Sequence, residues 1–295
     1  MLLLAASHGS GGSRVTRVRW EMGTLLEVDA IGPERNRTEQ AVAAAFAAVE
    51  EVDRRLSNWK PDSELSLVNA ASGGFVSLSP ATWRSLSLAI ALARETGGAF
   101  DPTVGAFTGA PTVRWENVML DPGERTLTFR GGARGAIDSG GFGKGEALDR
   151  ALVELRRRGV TAARLNFGGQ ISAFGGGSFA EVSIAEPRGG SGRELCSFTP
   201  VDGSVSTSGV SEKPGHIVDP RTDRAAAFTG SVTVVADTGV RADALSTALF
   251  VLGPEAGLDF ANRRGIAALF AASRPGGGWQ LLASRRFPQF FSKAS

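Results

Sequence analysis

The sequence predicts an α+β protein with mixed β-sheets and packed helices, arranged as two closely packed lobes around a ligand cleft. Helical patterns dominate the first third of the chain, where Thr38 to Ser57 carries apolar residues at helical spacing. Short apolar and β-branched segments, separated by turns rich in Gly and Pro, dominate the remainder and are typical of strands and hairpins. The early helices therefore form one group, and the sheet-rich part follows them.

Composition limits the class of protein. With 295 residues, of which 42% are hydrophobic, the chain is long enough to bury a sizeable core. A net charge of only +2 does not mark a nucleic-acid surface. The single cysteine, Cys196, excludes an internal disulfide framework and a cysteine-rich metal cluster. No apolar run approaches the roughly 18 residues that a transmembrane helix needs.

The first residues differ from the rest. MLLLAASHGSGGS (1–13) has a short apolar burst without a preceding basic region, and we expect it to be a flexible leader. Residues 14–295 are expected to form one domain. A cytoplasmic location is expected, and an exported form stays open if the leader is the remnant of an export signal.

Several elements follow from local patterns. Arg17 to Ala30 alternates like a strand or hairpin interrupted at Met22-Gly23-Thr24, and Thr38 is a candidate cap of the first long helix. Asp62-Ser63-Glu64-Leu65 indicates the start of a short second helix, and Ser79 to Gly97 a third. Asp121-Pro122-Gly123 separates two short strands between Asn117 and Phe129.

A glycine-rich segment follows these strands. AIDSGGFGKGEALDRALVELRRRG (136–159) predicts a strand, a turn and a helix, which can direct backbone N–H groups towards an anion. Lys144 lies in that turn, where it can act as a point charge for phosphate. The pattern is neither a Walker loop nor a GxGxxG fingerprint. Val160 to Phe174 then predicts two strands joined at Gly168-Gly169.

The segment SVTVVADTGVRADALSTALFVLG (231–253) predicts a buried strand, a turn, and a helix from Ala242 that stops at Gly253-Pro254. Asp243 and Thr247 are four residues apart and would share a helical face. A carboxylate and a hydroxyl there can offer two hard oxygens to Mg²⁺, with phosphates and waters completing the site. Alternatively, both residues are structural: the helix macrodipole favours the negative charge of Asp243 in the first helical turn, and Thr247 packs or bonds to a backbone carbonyl.

Other polar or aromatic residues leave two interpretations open. Trp59, on a connecting turn, can stack on a flat ligand or pack half-buried. Asp101, in an Asp-Pro turn, can bind a ligand or neighbouring amides. His216 is one of two histidines and can serve as an acid or base or be structural. No GxSxG occurs, which argues against a Ser-His-Asp hydrolase.

Taken together, these motifs resemble those of the ApbE family, the FAD:protein FMN transferases, from about Trp20 to Leu282. The resemblance rests on eight segments in the family's order: Met22-Gly23-Thr24, LSNWKPDSELSLVN (56–69), GGAFDPTVG (97–105), IDSGGFGKGEALD (137–149), LNFGGQISAFG (165–175), STSG (206–209), HIVDPRT (216–222) and SVTVVADTGVRADALSTALFVLG (231–253).

The resemblance implies transfer of the FMN portion of FAD onto a Thr or Ser hydroxyl of a target protein, with release of AMP. It implies a Mg²⁺ ion held by Asp243, Thr247 and a turn carbonyl, placed here at Gly141. It also implies that the FAD-binding residues are Met22, Trp59, Asp101, Lys144, Gly168, Gly169, Gln170 and Thr207. Trp59 would lie beside the isoalloxazine.

Lys144 and Mg²⁺ would neutralise the pyrophosphate, and we expect His216 to handle the proton, with Asp219 as its orienting partner. Two departures from the family's pattern stand out: Gln170 replaces a more usual acidic residue or Asn, and Asp223 follows DPRT where Gly is usual. Two related readings stay open: an FAD pyrophosphatase that gives FMN and AMP, and a catalytically silent FAD-binding protein.

Overall fold

The computed structural model describes residues 12–71, 74–104, 113–176, 181–187, 193–199, 202–210 and 217–290. Within these residues the helices are α1 (Arg35–Leu56), α2 (Glu64–Ala70), α3 (Pro80–Glu95), α4 (Gly143–Arg157) and α5 (Gly239–Arg264). The predicted α+β class is confirmed.

An eight-stranded sheet is the central element. Its strands, in spatial order, are β1 (Ser13–Glu21), β2 (Thr24–Gly32), β6 (Ala162–Phe167), β7 (Gln170–Phe174), β10 (Gly203–Gly209), β13 (Ser231–Ala236), β14 (Ala267–Ser273) and β15 (Trp279–Ala283). Each neighbouring pair is antiparallel. The sequence predicted mixed sheets, whereas the strands of this sheet are all paired in antiparallel fashion.

Three smaller sheets accompany it, also with antiparallel pairs. They comprise β3 (Val76–Ser77), β4 (Val118–Asp121) and β5 (Thr126–Phe129); β8 (Val182–Ala185) and β9 (Glu194–Phe198); and β11 (Val218–Asp219) and β12 (Arg224–Ala225).

The hydrophobic core lies mainly between the large sheet and the helices. One cluster joins α1, α3 and α4 to β2 and β6, with Phe46, Phe142 and Phe167 at its centre. A second cluster packs α5 against β13 and β14. A third covers the other face of the sheet, where β8 and β9 lie over β7, β10 and β14. Because both faces of the sheet are covered here, β7, β13 and β14 are buried at nearly every position rather than alternately.

The helix starts show how well local rules predicted the boundaries. Ser63 and Ser79 cap α2 and α3, because their hydroxyls accept from the amides of Ser66 and Thr82. The predicted cap at Thr38 is wrong, since α1 already begins at Arg35. Thr38 lies inside the helix and donates its hydroxyl to the Glu34 carbonyl at 2.8 Å.

Most predicted strands are present, and one is not. The β1–β2, β4–β5 and β6–β7 pairs all lie where the sequence predicted them. The interruption at Met22-Gly23 is a hairpin turn, in which both residues have positive φ (43° and 81°). Ala136 to Asp138, predicted as a strand before the glycine-rich turn, is not in a strand.

Helix α5 starts earlier and ends later than predicted. It begins at Gly239 because Thr238 acts as the N-cap, so part of the expected connecting turn is helical. Gly253 interrupts it with φ 74° and ψ 175°, which agrees with the predicted stop. Pro254 then begins a second helical segment that the sequence analysis did not predict.

None of the described helices is long and apolar enough to cross a membrane.

Candidate functional site

A cleft of about 340 Å³ lies where the N-terminal ends of α4 and α5 meet the ends of β7 and β10. It receives residues from six of the eight motifs. Those predicted as site residues that line it are Asp101, Gly141, Lys144, Gly168, Gln170, Thr207, Asp243 and Thr247.

The starts of α4 and α5 touch through their backbones. A Cβ on Gly145 would lie 2.3 Å from the Gly239 carbonyl oxygen, and one on Gly239 would lie 2.4 Å from the Gly145 oxygen. Only glycine fits at both positions, because real Cβ atoms do not approach backbone so closely. The glycine-rich turn therefore allows close helix packing beside the cleft.

Asp243 and Thr247 share a face of α5, as predicted, and Gly141 lies beside Thr247. The Thr247 hydroxyl donates to the Asp243 carbonyl at 3.2 Å, and a Cβ on Gly141 would lie 3.6 Å from the Thr247 Oγ1. The two interpretations of the pair are thus compatible: Thr247 does bond to a backbone carbonyl, and both side chains line the cleft.

The Asp243 carboxylate is buried, with 6% of the residue exposed. Its Oδ2 accepts from the Gly145 amide at 3.2 Å. Burial raises the pKa of Asp243, while the charge of Lys144, the Gly145 amide and the Ser206 hydroxyl act in the opposite direction. A cation in the cleft would therefore stabilise the charged form.

Lys144 stands in the first turn of α4 and lines the cleft. Among the described residues its ammonium group has no ion pair within 4.0 Å. It acts on two carboxylates at longer range, because its charge lowers the pKa of both Asp138 and Asp243 against the opposing effect of burial. This cation is therefore available to a ligand anion.

Sequence reasoning missed Asp138 as a site residue, although it lies in the IDSGG segment. It lines the cleft and accepts from the Gly140 amide at 2.8 Å. The segment is held in place by two asparagines: Asn58 and Asn69 donate to the Ile137 carbonyl at 2.8 and 2.9 Å. Because both lie in LSNWKPDSELSLVN, two motifs far apart in sequence combine into one wall.

Asp101 mainly stabilises its own turn. Its Oδ1 accepts from the amide and hydroxyl of Thr103 at 2.8 and 2.7 Å, and its Oδ2 accepts from the Trp115 amide at 3.2 Å. Burial raises the pKa of Asp101, and these hydrogen bonds oppose the rise. The structural interpretation of this Asp-Pro turn is therefore satisfied, even though the residue also lines the cleft.

A chain of hydroxyls connects β10 to α5. Ser208 and Ser246 share a hydrogen bond of 2.9 Å, Ser246 donates to Ser206 at 3.2 Å, and Ser206 bonds the Asp243 carboxylate. The sequence analysis singled out Thr207, whose hydroxyl instead pairs with Thr233 at 2.8 Å. Strand alternation places Ser206 and Thr207 on opposite faces of β10, but it does not say which face meets α5.

The Gly168-Gly169 turn closes β6 and β7, with φ values of 57° and 89°. Gln170 follows it, is buried with 3% exposed, and donates its Nε2 to the Gly239 carbonyl at 3.0 Å. Its Oε1 has no hydrogen-bond partner among the described residues. Gln170 thus stabilises the start of α5, because its side-chain amide can donate to a backbone carbonyl and an ionised acidic side chain cannot.

Four of the predicted site residues that the structure describes do not line the cleft. Met22 packs against the main core. Trp59 is 94% exposed, so the half-buried interpretation is wrong, and stacking on a flat ligand stays a prediction. Asp219 is held by Arg221, whose Nε and Nη2 donate at 2.8 Å each, which lowers the pKa of Asp219. Gly169 lies in the turn next to Gly168. His216 lies outside the described residues.

The donor chemistry of the cleft suits a hard cation that keeps other ligands. In the parts of the chain that are described, no three His, Cys, Asp or Glu side chains cluster as a metal site. One carboxylate, one hydroxyl and a nearby backbone carbonyl are nonetheless the oxygen donors that Mg²⁺ accepts alongside waters and phosphates. The residues present therefore fit such an ion.

The fold and this cleft define an α+β protein with a flavin-transferase-like architecture, as the solved structures show. A flavin transferase ApbE from Vibrio cholerae superposes with a TM-score of 0.81 at 25% identity, covering 95% of this chain and 100% of that one. A flavinyl transferase ApbE from Pseudomonas stutzeri, in its apo form, gives 0.82 at 23% identity, covering 95% and 98%.

Sequence comparison gives the same result. The model of the ApbE family matches residues 22–270, and this chain belongs to that family. An FAD:protein FMN transferase of Rhodobacter capsulatus is 30% identical over 89% of this chain, and the chain spans 56% of that relative's length. One from Klebsiella pneumoniae is 26% identical, with 91% and 87% covered. The family resemblance inferred from the motifs is confirmed.

Proposed function

We propose that this protein transfers the FMN portion of FAD to a Thr or Ser hydroxyl of a target protein and releases AMP. The observation that carries the proposal is that one cleft contains both a buried carboxylate, Asp243 on α5, and a cation, Lys144 on α4, that has no ion pair among the described residues. The names of its relatives, FAD:protein FMN transferase, support the same activity.

In the proposed reaction the acceptor hydroxyl oxygen attacks the phosphorus that carries FMN. A new phosphate ester bond forms, the pyrophosphate P–O bond breaks, and AMP leaves with the bridging oxygen. Lys144 would bind the pyrophosphate and stabilise negative charge on the leaving phosphate. Its position at the start of α4 places it among backbone N–H groups that also favour an anion.

Asp243, Thr247 and the carbonyl of Gly141 would hold Mg²⁺, which neutralises charge on the pyrophosphate when it is bound. Burial favours this role for Asp243, because a desolvated carboxylate gains from a nearby cation. The Gly145 amide and the Ser206 hydroxyl both hydrogen-bond to the carboxylate and would help to orient it. Orienting partners of this kind commonly raise metal affinity.

His216 is the proposed base that removes the acceptor's proton. Asp219 was proposed to orient it, and its neighbours Val218 and Pro220 line the cleft. Arg221 competes for the same carboxylate, so orientation of His216 would require Asp219 to accept another hydrogen bond alongside it. The other proposed FAD contacts are Met22, Trp59, Asp101, Gly168, Gly169, Gln170 and Thr207.

Incubation with FAD, Mg²⁺ and candidate target domains tests the activity. We expect a flavin-fluorescent band, a mass gain equal to one FMN moiety on the target, and AMP in equal amount. AMP and free FMN without a target would instead indicate an FAD pyrophosphatase. FAD binding without any AMP would indicate a silent binding protein.

Two variants on α5 sharpen that test. Asp243→Ala should stop AMP formation, because it removes the only carboxylate among the proposed metal ligands. Asp259→Ala is the matched control, since Asp259 lies on the same helix but is exposed and pairs with Arg263. Unchanged AMP formation in Asp243→Ala would show that the metal assignment is wrong.

A further inference from the structure

Helices α4 and α5 exchange hydrogen bonds in both directions. The Gly145 amide of α4 donates to Asp243 Oδ2 on α5 at 3.2 Å. One turn further along α4, Asp149 accepts from the first two amides of α5, Gly239 to Oδ1 at 2.6 Å and Val240 to Oδ2 at 3.1 Å. The two helices are therefore joined at two points, and the Asp243 carboxylate is one of them.

The contact between these two points leaves no room for adjustment. Gly145 and Gly239 are in backbone contact, so the helices can neither approach further nor slide without losing the Asp149 bonds. Gly141 precedes α4, Lys144 lies in its first turn, and Asp243 and Thr247 lie on α5. The distance between the two halves of the proposed metal site is thus set by the way the helices are joined.

Asp149 completes the cap of α5 from another helix. The N-cap of α5 is Thr238, whose hydroxyl accepts from the Arg241 amide at 3.4 Å. The amides of Gly239 and Val240 are left to Asp149, a partly buried residue whose pKa is raised by burial despite these two bonds. Its carboxylate therefore satisfies the first two amides of α5 and at the same time ties that helix to α4.

We propose that Asp149 is a positioning residue that sets the separation of α4 and α5, and through it the affinity of the Asp243–Thr247–Gly141 site for a divalent cation. The inference rests on the proposed function, because it assumes a cation at these oxygens. Asp149 itself touches neither the cation nor the substrate. It acts through the backbone of Gly239 and Val240.

Binding of Mn²⁺, a spectroscopic substitute for Mg²⁺, tests this without any turnover. Titrations followed by electron paramagnetic resonance would compare the wild-type protein with Asp149→Asn and Thr238→Ala. In Asp149→Asn an NH₂ group would face the backbone donors of α5, so we expect Mn²⁺ affinity to fall by about tenfold or more. Thr238→Ala removes a cap from the same helix without breaking the link to α4.

The control separates positioning from stability. We expect both variants to lower the melting temperature, whereas only Asp149→Asn should lower Mn²⁺ affinity. Equal affinity in Asp149→Asn and wild type, or an equal loss in Thr238→Ala, would overturn the inference. A wild-type protein that binds no Mn²⁺ would overturn the proposed metal site and the inference with it.

A second measurement uses the wild-type protein alone and decides the matter even if Asp149→Asn does not fold. If the two helices are coupled through Asp149, Mg²⁺ binding at Asp243 should slow hydrogen exchange at the amides of Gly239 and Val240. Slower exchange at Gly145 with no change at these two amides would contradict the coupling.

Discussion

The Gly145 amide donates to the Asp243 carboxylate, and this bond joins the glycine-rich start of α4 to α5. It exists because neither Gly145 nor Gly239 carries a side chain at the point of contact. Each of the following predictions depends on this junction or on the charges around it.

Gly145→Ala should destabilise the fold. The new methyl group would lie 2.3 Å from the Gly239 oxygen, so the helices must separate. We expect a loss of about 2–3 kcal/mol in the free energy of unfolding, typical of overpacking. Urea denaturation measures it, and Gly123→Ala is the control, because its nearest neighbour is the end of the Asp121 side chain at 3.3 Å. Equal stability of the two variants would contradict the packing argument.

Asp243→Asn should remove metal binding without weakening the apo protein. Because burial raises the pKa of this carboxyl, a neutral amide avoids the desolvation penalty and can still accept from the Gly145 amide. We expect an unchanged or higher melting temperature without metal. The rise in melting temperature that Mg²⁺ and FAD give the wild-type protein should be absent. Scanning fluorimetry with and without both ligands checks this, and a full Mg²⁺-dependent rise would refute it.

Lys144→Gln should weaken FAD binding by about tenfold and reduce its dependence on salt concentration, because a charge facing the pyrophosphate is lost. Arg157→Gln, at the exposed end of the same helix, should change neither property. Titration of flavin fluorescence at low and high ionic strength measures both effects. A salt dependence equal to that of the wild-type protein would show that Lys144 does not face the phosphates.

The pH dependence of stability should differ between the wild-type protein and Asp149→Asn. Burial raises the pKa of Asp149 to about 6, so the native state keeps its proton in a range where the unfolded chain has lost it. The contribution of this group is therefore most favourable below about pH 4 and decreases as pH rises to about 6.

We expect the difference in unfolding free energy, wild type minus Asp149→Asn, to fall by about 2–3 kcal/mol from pH 4 to pH 7. Urea denaturation at both pH values, in the absence of metal, gives this difference directly. A difference that is constant with pH, or that grows as pH rises, would show that Asp149 does not titrate in this way.

Local rules were sufficient where a single segment determines its own structure. The starts of α2 and α3 were predicted within a residue or two of where they lie, and Asp243 and Thr247 were correctly placed on one helical face. The eight motifs gave the family, and the cleft brings six of them together. These predictions depend only on the spacing of residues along the chain, which can be read directly from the sequence.

The remainder depends on contacts between distant segments. Asp149 gave no local signal, because its partners are 90 and 91 residues away. Ser206 was missed in favour of Thr207, since which face of β10 meets α5 is decided by sheet packing. Asp138 was overlooked because the asparagines that present its loop lie in a different motif.

The edge of the large sheet has a consequence for the protein in solution. Among the described strands, β1 pairs only with β2, and it carries Arg14, Arg17 and Arg19. Such charged side chains make an outer strand a poor template for another β-chain. The Val18 and Trp20 side chains of the same strand are 52% and 69% exposed, a composition that would otherwise promote edge-to-edge aggregation. The arginines of β1 therefore disfavour pairing of this edge with another β-strand, while Val18 and Trp20 leave apolar surface open to water.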